Sequence, residues 1–168
     1  MSQEAYKIYA LNPDLIEVLP PGAKFLPYSS ESVFKKNDLK QKAAGPLIIG
    51  HAPTNRQIKG TKYIVAAVTQ LKEQGFAVEL KLIEGLNHTD ALKEYCEIDV
   101  FVDQLIVGWY GVAAVELMSM GKIVLCYIGD KGRRHLPEKF LEELPILNAS
   151  PQSVYEMLKK CLQMRQEE

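Results

Sequence analysis

Leu47-Ile48-Ile49-Gly50-His51 decides the fold, because the residues after it turn a short apolar run into half of a repeating unit. Residues 60–74 place Ile64, Val65, Val68 and Leu71 on one face at 3.6-residue spacing, and Gly75 stops that helix. Ala77-Val78-Glu79-Leu80-Lys81-Leu82-Ile83 then reads as a second strand. Two strands rich in branched side chains, joined by a helix, call for parallel pairing through a crossover. The pattern repeats outward. Asn87 is a helix N-cap for a short helix through Tyr95, Val100-Phe101-Val102 is the third strand, and a helix over 112–120 leads past Gly121 to a fourth strand at 123–128. Residues 130–135, charged and punctuated by glycine, predict an exposed loop before a short helix near Pro137. Ile146-Leu147 is a last short strand, and residues 152–166 form a terminal helix with Val154, Met157, Leu158 and Cys161 on one face, after which the chain frays. The class is α/β. Residues 1–45 differ: proline-rich, with a strand expected at 7–11, a helix at 14–18 and an extended piece at 24–28, they read as a lead-in arm to a domain at 46–168.

Composition narrows the function classes. The 168 residues are 47% hydrophobic and 24% charged, ordinary for one globular core. Twenty Lys and Arg against 21 Asp and Glu leave a formal charge of −1, which offers no basic stripe for nucleic acid. The longest uncharged apolar stretch, 105–115, is shorter than the ~20 residues of a membrane span. Cys96, Cys126 and Cys161 are widely spaced and odd in number, fitting neither a disulfide framework nor a zinc site, and read as reduced thiols. The N-terminus carries no secretory pattern, so a cytoplasmic location is expected.

Ligands of open parallel sheets bind beyond the carboxyl ends of the strands, which selects three loops. The first, Gly50 to Gly60, sets His51, Arg56 and Lys59 between a strand end and a helix N-terminus and suits a phosphate, solvated loop charge being the alternative. It is neither a Walker loop nor a Gly-x-Gly-x-x-Gly turn. The second, Asp103 to Gly111, brings two glycines to another helix N-terminus, with Glu116 lying within the most apolar stretch of the chain. A buried carboxylate there needs donors, and sugar hydroxyls supply them; a wet helix face is the other reading. The third loop holds Arg133, Arg134 and His135, read as solvated charge, with a lid over the site as the other option.

Together these segments resemble the C-terminal, nucleotide-sugar-binding domain of group 1 (family 4) glycosyltransferases of the GT-B architecture. Gly50-His51 with Lys59-Gly60 is similar to that family's Gly-Arg followed by Lys-Gly, and Asp99-Val100-Phe101-Val102 to its Asp-Ile-Phe-Val strand. Gly108-Trp109-Tyr110-Gly111, continuing through Glu116 to Val124, is similar to its Glu-Gly-Phe-Gly-x4-Glu-Ala-Met-Ala-x-Gly-x-Pro-Val run. The resemblance implies a Rossmann-like parallel sheet flanked by helices, a nucleotide-diphosphate sugar as donor, transfer with retention and no cofactor or obligatory metal. It implies His51, Arg56, Lys59 and Gly111 at the donor diphosphate, Glu116 at the ribose, and Gly108, Trp109 and Tyr110 near the donor sugar. Two departures stand out. His51 replaces the family's Arg, and Gly108 replaces the first motif glutamate. The acceptor half that precedes this domain in such enzymes has no counterpart here, so a glycan or lipid-linked acceptor would need another domain, and the full enzyme could sit at the membrane periphery. No catalytic base is evident. A noncatalytic nucleotide-sugar binding or interaction module is the alternative, and a receiver-like signalling domain a third, disfavoured because Gly50-His51 stands where acidic residues would cluster.

Overall fold

A computed structural model describes residues 7–30 and 45–167. The first six residues, read for a leader, the last part of the lead-in at 31–44, and residue 168, at the end expected to fray, lie outside the described residues. In chain order the strands are β1 (Tyr9–Ala10), β2 (Lys24–Phe25), β3 (Leu47–His51), β4 (Val78–Leu82), β5 (Val100–Val102), β6 (Ile123–Cys126) and β7 (Leu147–Asn148). The helices are α1 (Arg56–Lys59), α2 (Thr61–Glu73), α3 (His88–Cys96), α4 (Val112–Ser119), α5 (Asp130–Arg133), α6 (Glu138–Glu142) and α7 (Val154–Glu167).

Five strands form one fully parallel sheet in the order β4-β3-β5-β6-β7, a Rossmann-like α/β arrangement. Ile49 of β3 is paired on both sides, opposite Leu80 of β4 and Val100 of β5. Successive strand residues alternate between two apolar clusters, as the two-residue period requires. Val100 and Val102 join α2 and α7 on one face through Ile64, Val68, Leu71, Val154 and Leu158. Phe101 points the other way, to Tyr95 of α3 and to Ala114 and Leu117 of α4. Both faces are therefore covered, and that is why the inner strands β3, β5 and β6 read as near-continuous hydrophobic runs, whereas the edge strand β4 alternates. Among the described residues no helix is long and apolar enough to cross a membrane.

Two local expectations need correction. Residues before Gly60 are helical too: Asn55 caps α1 by accepting from the Gln57 and Ile58 N–H groups, and Gly60, at φ +80°, breaks α1 from α2. A side chain there would also press within 3.2 Å of Leu105 Cβ. Secondly, the charged stretch after Gly129 is the helix α5 rather than an open loop, its acidic Asp130 in the first turn and basic Lys131 and Arg133 in the last, the order that suits a helix dipole.

The lead-in is docked rather than free. β1 and β2 pair in parallel around a short 3-10 helix at Pro13–Glu17, and Phe25 meets Trp109 and Phe140 edge-on, with ring centroids 5.5 and 5.8 Å away. Tyr28 donates its hydroxyl to Asn12 Oδ1 at 3.1 Å. Pro13 lies against Gly132 of α5, while Arg134 Nη1 and His135 Nε2 reach Glu17 Oε1 at 3.4 and 3.2 Å. The third loop thus fastens the lead-in to the domain.

Candidate functional site at the carboxyl edge of the sheet

The order β4-β3-β5 means that the chain leaves β3 for one neighbour and returns on the other side at β5, the switch point beyond whose carboxyl strand ends such sheets form their ligand crevice. Four of the chain's exposed large apolar residues, Ile58, Leu86, Ile106 and Val112, belong to α1, the loop after β4, the loop after β5 and the start of α4, which together frame that edge.

His51 does not face the crevice. It is fully buried, with Nδ1 2.7 Å from the Val102 carbonyl and Nε2 2.8 Å from Thr61 Oγ1. A carbonyl only accepts, so Nδ1 carries the proton and donates it, leaving Nε2 to accept from the threonine hydroxyl. The ring therefore staples the ends of β3 and β5 to the start of α2 and has no donor left for a phosphate, which corrects its expected role. Burial, the largest influence, lowers its pKa below the usual 6.5, with the Lys59 charge acting in the same direction. A histidine held neutral in the fold but free to charge when unfolded contributes stability that is complete above about pH 6.5 and fades as pH falls below it. Urea midpoints at pH 7.5 and 5.5 should show this loss, and His51→Gln should reduce it; equal losses in both proteins would remove His51 from the linkage.

Lys59 and Gly111 do converge, but on a residue of the chain itself. Asp103, which follows β5 and is fully buried, accepts from Lys59 Nζ through Oδ1 and from the Gly111 N–H through Oδ2, both at 2.7 Å. Leu105 N–H donates to the Lys59 carbonyl at 3.1 Å, so the two loops are joined by backbone as well. Arg56, expected to supply a guanidinium for the diphosphate, instead grips Glu84 beyond β4 with two parallel hydrogen bonds. That bond raises the arginine pKa and lowers the glutamate's.

Glu116 is buried on α4 despite its charge, its side chain 8% exposed, and its Oε1 lies 2.7 Å from His88 Nε2 at the start of α3. His88 itself is two-thirds exposed. The negative charge of Glu116 adds to burial in pushing the neighbouring Tyr95 hydroxyl up to about 12. The wet-face reading of Glu116 therefore fails, while its carboxylate already has one imidazole partner.

The residues expected beside a donor sugar are turned inward. Trp109 and Tyr110 are nearly fully buried and stack at 4.7 Å, Trp109 against Phe25 and Tyr110 against Tyr28 of the lead-in. Gly108 lies backbone to backbone with Gly129: its carbonyl accepts the Gly129 N–H at 3.0 Å, and a Cβ at 108 would sit 3.0 Å from the Gly129 Cα. Glycine at this position is thus a packing requirement of the loop.

Asp103, Glu84 and His88 are the site residues that periodicity missed. Asp103 carried a usable signal, an acid placed directly at the end of a wholly apolar strand; Glu84 and His88 carried none beyond their loops. A concavity of about 480 Å³ lined by Leu47, Phe76, Ala77 and Leu162 opens at the opposite, amino edge of the sheet, away from all these groups. No protein-family model and no curated protein matches this chain.

Proposed function

We propose that the chain is the donor-binding domain of a retaining glycosyltransferase, taking a nucleotide-diphosphate sugar whose sugar passes to a glycan or glycoconjugate acceptor held by a second domain. The observation that carries this reading is Glu116: an ionisable side chain buried on an otherwise apolar helix, on the carboxyl side of the sheet, in the position matching the family's ribose-binding glutamate. Its oxygens suit the cis hydroxyls of a ribose, with His88 sharing Oε1. The first turn of α4 presents the N–H groups of Val112 and Ala113, which have no partner within the helix, and Arg56 stands at the rim. These would meet developing negative charge on a leaving diphosphate.

Glu116→Gln tests the reading. Hydrogen bonds to a charged group contribute about 1.5–3 kcal/mol, so the parent should prefer a ribonucleoside diphosphate over its 2′-deoxy analogue by roughly tenfold or more. The variant should lose most of that preference with little change in melting temperature. A preference equal in both proteins would take Glu116 out of the site.

A second reading, a noncatalytic nucleotide-sugar binding module, is favoured by two observations: each candidate phosphate cation has a carboxylate partner, and Gly108 leaves no acid near the expected sugar position. Transfer of sugar in the presence of an acceptor domain separates the two.

A further inference from the structure

The crevice brings its own counter-ions. Arg56 and Lys59 are its cations, and each is met by a carboxylate from another loop, Glu84 and Asp103. The two pairs are unlike in kind. Arg56 and Glu84 meet at the surface, where such a pair is screened and readily exchanged. Asp103 is wholly enclosed, its side chain 0% exposed and that of Lys59 only 15%. Its two oxygens take an ammonium and a helix-terminal N–H, the same donor set that an incoming phosphate would use. Releasing Lys59 to an external anion would strand a buried carboxylate, which is strongly unfavourable.

We propose that Asp103 determines the ligand selectivity of this crevice by standing in for an anion: it keeps Lys59 and the Gly111 N–H occupied, so that a nucleoside diphosphate is recognised chiefly through its ribose and its phosphates lie outside this slot. The inference deepens the nucleotide-sugar reading and rests on it for the natural ligand, whereas its test uses inorganic pyrophosphate, which has no ribose. The functional consequence is selectivity by exclusion. Free phosphate and pyrophosphate, which carry charge but no hydroxyl pair for Glu116, bind poorly, while ligands bearing a ribose are retained.

Calorimetric titration of pyrophosphate into the parent, Asp103→Asn, and Asp103→Asn combined with Lys59→Met provides the test. Asparagine keeps the shape and one acceptor while removing the negative charge and freeing the ammonium. Affinity should rise on the order of tenfold in Asp103→Asn, the scale of one charge-assisted hydrogen bond, and return to near the parent value in the double variant. A folded Asp103→Asn protein that binds pyrophosphate no better than the parent overturns the proposal, as does a gain that survives loss of Lys59. Should the variant not fold, amide spectra of the parent decide: the Gly111 N–H resonance should stay in place through a pyrophosphate titration. A Gly111 shift that saturates with pyrophosphate would mean that external anions displace Asp103, and would overturn the proposal equally. Failure of the nucleotide-sugar reading appears elsewhere, as absence of a ribose preference in the parent, and leaves the pyrophosphate result intact.

Discussion

Replacing Asp103 with alanine is expected to cost about 3–5 kcal/mol of folding stability, the scale for removing one member of a buried ion pair. The carboxylate joins the loop after β5, the end of α1 and the start of α4, so its loss leaves the mostly enclosed Lys59 ammonium and the Gly111 N–H without their acceptor. Most of that cost is the uncompensated charge. Removing Lys59 at the same time, as Asp103→Leu with Lys59→Met, should therefore be far less damaging than Asp103→Ala alone, because apolar replacement of both partners avoids the stranded ion. Urea unfolding of the three proteins measures the difference. A loss below about 1 kcal/mol in Asp103→Ala would show that solvent reaches the pair freely.

Gly108→Glu, which would introduce the acid that the resemblance places at this position, is expected to destabilise the protein by about 1–3 kcal/mol and to bring no gain in binding, because overpacking against a fixed neighbour displaces backbone. The nearest atoms to a new Cβ are the Cα and nitrogen of Gly129, at 3.0 and 3.1 Å, and neither can rotate away as a side-chain tip can. Gly108→Ala should show most of the same loss, since the collision begins at the first carbon. Thermal unfolding of both variants checks this. A glutamate variant as stable as the parent would mean that the loops after β5 and β6 separate easily and leave room for an acid at position 108.

The α/β class and the strand positions were legible because β3, β5 and β6 are apolar runs between helical periods and β4 alternates apolar with charged residues. Ile49, Val100 and Leu125 announce themselves by composition alone. The N-cap at Asn87 was equally plain, its side chain accepting the Asp90 N–H at 3.0 Å. Side-chain direction was not. His51 and Trp109 belong to segments that border the crevice, and nothing in their spacing says that one ring is consumed by Val102 and Thr61 or that the other packs against Phe25 of the distant lead-in. Charge pairing was hidden for the same reason. Lys59 and Asp103, or Arg56 and Glu84, meet only because parallel strands deliver distant loops to one edge. The burial of Glu116 was not legible from spacing either, since a single acid between Val115 and Leu117 fits a wet helix face as well as a buried one, and only the packing of α4 decides between them.

The seating of the lead-in on Trp109 has an optical consequence. This is the chain's sole tryptophan, and its indole lies in an apolar cage that includes Phe25 and Tyr110, with no hydrogen-bond partner for Nε1 among the described residues. Its emission should be blue relative to that of a hydrated indole and should redden when residues 7–30 lift away. The protein therefore contains its own fluorophore for undocking of the lead-in.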